Sequence, residues 1–262
     1  MGSAAIQGAL WGAAADDWAT LVEPQSASLY GAVLGAVGVT SGIRYLDAGC
    51  GAGLALQLAL ARGAVVAGLD ASEALLDIAR QRVPAGDLRH GDLEALPFGT
   101  SSFDAVTSFN AVQYAADPVR ALREIGRVAR SGAPVGIVTW GAAERCETRS
   151  VLAAIGALLP PPPPAAAGGP FALSEPGALE LLATDADLSP GQVGDAEVAF
   201  DFADLDTAVR GHLSSGPARR AIDAAGRDAV LAALRSALEP SVGADGRSRQ
   251  TNVFRYLVAH AR

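Results

Sequence analysis

The stretch Tyr45-Leu46-Asp47-Ala48-Gly49-Cys50-Gly51-Ala52-Gly53 limits what this chain can fold into more than any other. An apolar run from Ile43 to Ala48 enters it, and a helical pattern from Leu54 to Ala61 leaves it. The pattern predicts a strand, a glycine turn and a helix. Glycines let the backbone turn sharply and let a ligand approach where no Cβ stands. A helix start also offers free N–H groups to a polar or anionic ligand. Asp47, at the strand end, is placed to accept hydrogen bonds from the turn or to face a ligand cation. A dinucleotide-binding turn has the spacing G-x-G-x-x-G, its third glycine lying where helix meets strand. Here the third glycine comes one residue early, at Gly53, and Leu54 follows, which disfavours a dinucleotide.

Downstream the pattern alternates. Strands are predicted over 43–48, 64–69, 88–90, 103–109 and 134–140, and helices over 54–62, 73–82 and 117–130. Ser72 is the expected N-cap of the second helix, and Asp117-Pro118 opens the third. Strands alternating with helices predict a parallel sheet with helices on both faces, and ligands outside the carboxyl ends of the strands. Ahead of this core, 4–22 reads as a helix with Trp11 and Trp18 on one face, ended by Glu23-Pro24, and 26–38 as a second helix. Behind it come a helix over 147–159, a stiff run Pro160–Pro164 and a flexible connector Ala165–Gly169. A helix over 174–184, a strand over 193–202, helices over 205–213 and 218–238, and a last strand over 252–260 complete the chain.

The 262 residues suit one large domain, and half of them are hydrophobic, enough for a substantial core. Lysine is absent and the formal net charge is −8. A nucleic-acid binder would show a basic face; here the basic groupings are no larger than Arg219-Arg220 or Arg247/Arg249, so a nucleic-acid partner is not expected. No run of 18 apolar residues predicts a membrane span, and no charged stretch opens the chain as an export signal would. Cys50 and Cys146 make no disulfide framework. The cytoplasm is the expected location. No spaced Cys/His set or H-x-E cluster implies a metal.

Three acids stand at three successive strand ends: Asp47, Asp70 and Asp92. A carboxylate offers two acceptor oxygens, which matches the two donors of a ribose diol, so Asp70 is a candidate for that contact. Asp92 can accept from an exocyclic amine, the backbone N–H of Leu93 can meet a ring nitrogen, and Leu93 or Ala71 can cover an adenine face. Asp47–Gly53, Gly68-Leu69-Asp70-Ala71-Ser72, Gly91–Phe98, Phe103-Asp104-Ala105-Val106 and Arg127-Val128 together resemble the ordered motifs of class I S-adenosylmethionine (SAM) methyltransferases. They are most similar to the methyltransferase type 11 group. The segments Phe171–Pro176 and Asn252–Leu257 also resemble bacterial members of that group.

The resemblance implies a single α/β domain over 1–262. It would hold a Rossmann-like seven-stranded sheet with helices on both faces and its last strand antiparallel. Residues 43–140 would be the SAM-binding core, and 1–42, 141–190 and 203–250 would be helical lid or cap segments. It implies that Gly49, Gly51 and Gly53 line the methionine end of SAM, Asp70 takes the ribose, and Asp92 and Leu93 the adenine, with Asp47 and Ala71 also counted among the cofactor-binding residues. Asn110 and Ala111 would lie beside the methionine moiety and the methyl group. The expected reaction is methyl transfer to a small-molecule oxygen, nitrogen or carbon, by a monomer or homodimer. A protein that keeps SAM but catalyses a non-methylating reaction, or that serves as a regulatory module, is the alternative. A general base is needed only if the acceptor must lose a proton. His212 is the best candidate, ahead of His90 and His260. Gln113, Tyr114 and Trp140 are expected to border the acceptor pocket.

Overall fold

A computed structural model describes residues 3–160 and 170–262. Most of the Pro-rich and Ala/Gly connector expected over 160–169 therefore lies outside the described residues. In chain order the elements begin with α1 (Ala4–Gly12), α2 (Ala15–Asp17), a π-helical turn Trp18–Val22, a 3-10 turn Glu23–Ser26 and α3 (Ala27–Ala36). Then come β1 (Arg44–Ala48), α4 (Leu54–Ala61), β2 (Val65–Asp70), α5 (Glu73–Arg82), β3 (Asp87–His90), β4 (Ala105–Phe109), α6 (Pro118–Val128) and β5 (Pro134–Trp140). The remainder is α7 (Arg149–Gly156), α8 (Ala178–Asp185), β6 (Ser189–Phe202), α9 (Leu205–Leu213), α10 (Gly216–Ala225), α11 (Arg227–Leu238) and β7 (Ser248–His260).

The seven strands form one sheet in the order β3-β2-β1-β4-β5-β7-β6. The first five are parallel, and β7 runs antiparallel to both of its neighbours. This is the expected Rossmann-like sheet. Strand order reverses between β1 and β4, which opens a crevice at their carboxyl ends. β1 is covered on both faces, and Tyr45, Leu46, Asp47 and Ala48 are all buried. Tyr45 enters the core formed with α3, α4 and α5, and Leu46 enters the opposite core formed with α6 and α8. Helix α5 begins where predicted, the Ser72 hydroxyl accepting from Leu75 N–H at 3.3 Å. Helix α6 is capped by Asp117, which accepts from Arg120 N–H at 3.0 Å.

Several boundaries differ from the sequence reading. The 4–22 helix is broken: Ala14 leaves helical geometry at φ −145° and the chain re-enters through a π turn. Trp11 and Trp18 still meet edge to face, with ring centroids 5.0 Å apart. Glu23 opens a short 3-10 turn and is buried. The 218–238 helix is two helices, split at Gly226, whose φ of +86° stops the first. β6 begins earlier than expected, at Ser189, with an irregularity between Pro190 and Val193. β7 begins earlier too, at Ser248, and β4 is shorter, Phe103 making only an isolated bridge to Ala129. Helices α7, α9, α10 and α11 contact one another, and α1 contacts α5 and α10. Helix α8, inside the stretch expected to be a cap, instead packs on the sheet face beside α6, burying Leu179 and Ala183. Among the described residues no helix is long and apolar enough to cross a membrane.

Candidate functional site

The crevice at the β1/β4 switch opens into one large cavity. Of the residues expected to hold a ligand, Gly49, Gly51, Asp70, Ala71, Asp92, Leu93, Asn110 and Ala111 line it, and Asp47 and Gly53 do not. The glycine turn is pinned to β2: Gly49 N–H and Cys50 N–H both donate to the Leu69 carbonyl, at 2.8 and 2.9 Å. Gly49 sits at φ +85°, and a Cβ there would collide with the Ala111 side chain. Gly53, also at φ +85°, starts α4, and a Cβ there would stand 2.8 Å from the Ala79 Cβ. Gly53 therefore lets α4 and α5 approach closely, behind the cavity wall.

The three acids do different things. Asp47 is 2 % exposed and accepts from the Thr107 hydroxyl at 2.9 Å, which itself bonds the Tyr45 hydroxyl. Burial, with smaller contributions from Glu23 and Asp70, pushes its carboxyl up to about 7. Asp70 does face the cavity. Its Oδ2 accepts from Gly51 N–H at 2.9 Å and its Oδ1 from Ser72 N–H at 2.8 Å. Burial raises its carboxyl, and these backbone N–H groups oppose the rise. A carboxylate has about four lone-pair sites, so two directions stay open after the loop is held. Asp92 accepts from Glu94 N–H at 2.9 Å through Oδ1, which fixes the turn carrying Leu93.

Asn110 was expected beside the reacting group. It has φ +50°, a left-handed conformation uncommon outside glycine. Its side-chain Oδ1 is buried without a partner among the described residues, at the edge of the cavity. An orphaned acceptor there costs about 1–3 kcal/mol, which a ligand N–H would recover. Tyr114 and Trp140 line the cavity, whereas Gln113 does not; its Oε1 accepts from the Thr139 hydroxyl at 3.0 Å. His90 Nε2 donates to the Ala71 carbonyl at 2.9 Å, and His260 lies exposed in β7. His212 lines the cavity from α9 and is only 9 % exposed.

Other residues at the site carry no local sequence signal. Glu23 is 2 % exposed and ion-pairs with Arg82, and its Oε1 also accepts from Leu54 N–H at 3.4 Å. Burial raises its carboxyl, and Arg82 opposes this. Arg82 further donates to the Ala52 and Ala19 carbonyls, both at 2.9 Å. The N-terminal segment is thereby tied to the glycine turn. Away from that turn the cavity wall becomes aromatic: Tyr30 packs on Phe109 at 4.5 Å, and Trp140 stacks on Phe254 at 4.6 Å.

Residues 46–136 match the family described as "Methyltransferase domain". A malonyl-[acyl-carrier protein] O-methyltransferase of Erwinia pyrifoliae is 45% identical over 93 residues, 36% of this chain and 36% of that protein. A demethylmenaquinone methyltransferase of Renibacterium salmoninarum is 38% identical over 100 residues, 38% of this chain and 42% of that protein. The chain thus spans well under two thirds of the length of these curated relatives. A SAM-dependent methyltransferase of Aquifex aeolicus superposes with a TM-score of 0.51 at 21% identity, over 68% of this chain and 90% of that one. The [4+2]-cyclase SpnF superposes with a TM-score of 0.57 at 20% identity, over 90% of this chain and 81% of that one. At such identities these likenesses speak for the fold.

Proposed function

We propose, from the match of residues 46–136 to the methyltransferase domain family, that the chain transfers a methyl group from SAM to a small-molecule acceptor. When bound, SAM supplies a methyl group already activated on a sulfonium, so the protein has chiefly to position and to exclude water. The observation that carries the proposal is the meeting of three strand-end loops around one cavity, with an acceptor at each: Asp70, Asp92 and the unpartnered Asn110 Oδ1.

The donor and acceptor chemistry fits this group. Asp70 keeps lone pairs for a ribose diol, Asp92 and Leu93 offer the adenine contacts, and Asn110 Oδ1 suits an ammonium or other N–H donor. Ala71 and Leu93 give apolar cover. Close approach at Gly49 is possible because no side chain stands there. The aromatic end of the cavity would receive the acceptor, enclosed by α1, α7, α9 and α10 acting as a cap, which suits a small molecule.

Calorimetric titration with S-adenosylhomocysteine (SAH), the demethylated product of SAM, tests the assignment. Binding by the intact chain and sharply weaker binding by Asp70→Ala are expected. Equal affinity in both proteins would remove the ribose assignment, and no binding by either would remove the cofactor. Release of SAH in step with product separates methyl transfer from a non-methylating reaction in the same cavity.

A further inference from the structure

The end of the cavity away from the acids has a consistent chemistry. Its wall includes Tyr30, Phe109, Trp140, Phe200 and Phe254, with Leu152 beside them. The charged residues lining the cavity are Asp70 and Asp92, both carboxylates at the opposite end, and no arginine lines it among the described residues. The stretches outside the described residues, 1–2 and 161–169, contain no Arg, Lys or His. An anionic ligand group buried here would lose its hydration without gaining a side-chain cation, a costly exchange. Apolar and aromatic ligand surface, by contrast, is stabilised in proportion to the area it buries.

Polar groups interrupt this wall at Ser26, Thr148, Ser215 and His212, and of these His212 has a ring that can take up a proton. His212 Nε2 lies 2.7 Å from Gln250 Oε1, and the ring packs against both Phe200 and Phe202, at centroid distances of 6.3 and 5.7 Å. An amide oxygen can only accept, so Nε2 carries the proton and Nδ1 keeps its lone pair. Nδ1 has no hydrogen-bond partner among the described residues. A fixed tautomer with a free acceptor on a residue that lines the cavity is a selective feature, because a ligand that brings a hydroxyl gains a bond that one without it cannot.

Resting on the methyltransferase reading above, we propose that the acceptor is an uncharged, largely apolar ring compound bearing a hydroxyl group, and that His212 Nδ1 receives that hydroxyl's hydrogen bond and then its proton. The proton passes to Nδ1 as the oxygen–methyl bond forms and the sulfur–methyl bond breaks. The positive charge leaves sulfur and ends on the imidazolium, which releases its proton to water. Burial pulls His212 down to about 4, the bond to Gln250 opposing this, so the ring is uncharged at neutral pH. A base of that strength suffices, since an oxygen taking up a methyl group becomes far more acidic than the free hydroxyl.

Equilibrium dialysis of the full chain with three probes, 2-naphthol, 2-methoxynaphthalene and 2-naphthoate, tests the proposal. Each is measured with and without SAH, whose own binding is recorded separately. A failure of the cofactor assignment therefore appears in that titration and not in the probe ratios. We expect 2-naphthol to bind at least about ten-fold more tightly than 2-naphthoate and about five-fold more tightly than 2-methoxynaphthalene. His212→Phe, which keeps an aromatic ring against Phe200 and Phe202, should bring the second ratio to about one and lower the first about five-fold, so that 2-naphthol still binds at least about two-fold more tightly than 2-naphthoate. Naphthoate binding as tightly as naphthol, a hydroxyl preference that survives His212→Phe, or no binding of any probe would each overturn it. The naphthoate comparison uses the unaltered chain, so it decides even if the variant does not fold.

Discussion

At one end of the cavity the wall comes from residues 49–93, three consecutive strand ends. At the other it comes from residues as far apart as Leu29 and Phe254. The first end is polar and held by backbone bonds: Gly49 and Cys50 to Leu69, Gly51 and Ser72 to Asp70. The second is aromatic and held by side-chain packing, as in Trp140 on Phe254. A polar end built from backbone and short loops can be specified locally and reused with little change. An apolar end built from distant side chains can be altered one residue at a time without disturbing the loops. The division suits a reaction in which one ligand is constant and the other particular to the protein.

The largest effect is expected where the two ends are joined. Arg82 links Glu23 and the Ala19 carbonyl, next to Val22 and Ser26 of the aromatic end, to the Ala52 carbonyl of the glycine turn. Arg82→Met would leave the Glu23 carboxylate buried without its partner, a loss of about 3–5 kcal/mol. At about 2–4 °C per kcal/mol, the melting temperature should fall by about 6 °C or more. Affinity for SAH and for 2-naphthol should fall together. If only one falls, the two ends are not coupled through this pair.

Asp70→Ala acts on the polar end alone. It removes the acceptor of two backbone N–H groups and of a ligand diol. SAH affinity should drop about 100-fold, or about 2.7 kcal/mol, while 2-naphthol affinity changes less than about two-fold. Trp140→Ala is the reciprocal experiment and should cost less. It opens a space beside Phe254 and Phe200, weakening 2-naphthol about ten-fold, or about 1.4 kcal/mol, with SAH affinity held within about two-fold. Dialysis of both ligands against both variants completes the cross. A variant that moves both affinities equally would show that the ends are one unit.

The same division explains what could be read from the chain. Gly49, Asp70 and Asp92 mark strand ends within one alternating pattern, so local spacing brings them to one edge of the sheet. Seven strands and an antiparallel last strand followed from the resemblance that those motifs carry. Tyr30, Phe200 and Phe254 were not legible, because an apolar residue facing a cavity has the same pattern as one facing the core. Which of the two it does depends on how α7, α9 and α10 sit over the sheet. Glu23 looked like a helix end, since its partner Arg82 is remote in sequence. The 218–238 helix was read through Gly226 because one glycine in a helical pattern costs only about 1 kcal/mol. His212 was singled out by residue type, but its burial and its bond to Gln250 exist only once β7 is in place.

The smallest expected effect concerns Asp47, the strand-end acid that turned out to sit behind the polar end. Its carboxyl titrates near 7 in the fold against an ordinary value of 3.8. A group raised in this way favours the fold fully below pH 3.8, and that contribution is lost as the pH rises towards 7. At pH 8 the folded chain therefore carries a buried carboxylate opposed by desolvation and by Glu23 and Asp70. Asp47→Asn removes that charge, and its oxygen can still accept from Thr107. The new amide N–H group needs a partner, which offsets most of the gain. We expect a net rise of about 1 kcal/mol, or about 2–4 °C in melting temperature, at pH 8. This margin should shrink towards pH 5, where the native carboxyl is already protonated. A margin that stays constant across this range would mean that Asp47 does not titrate between those limits. SAH affinity should change less than about two-fold at pH 8, because Asp47 does not reach the cavity; a larger loss would return this residue to the polar end.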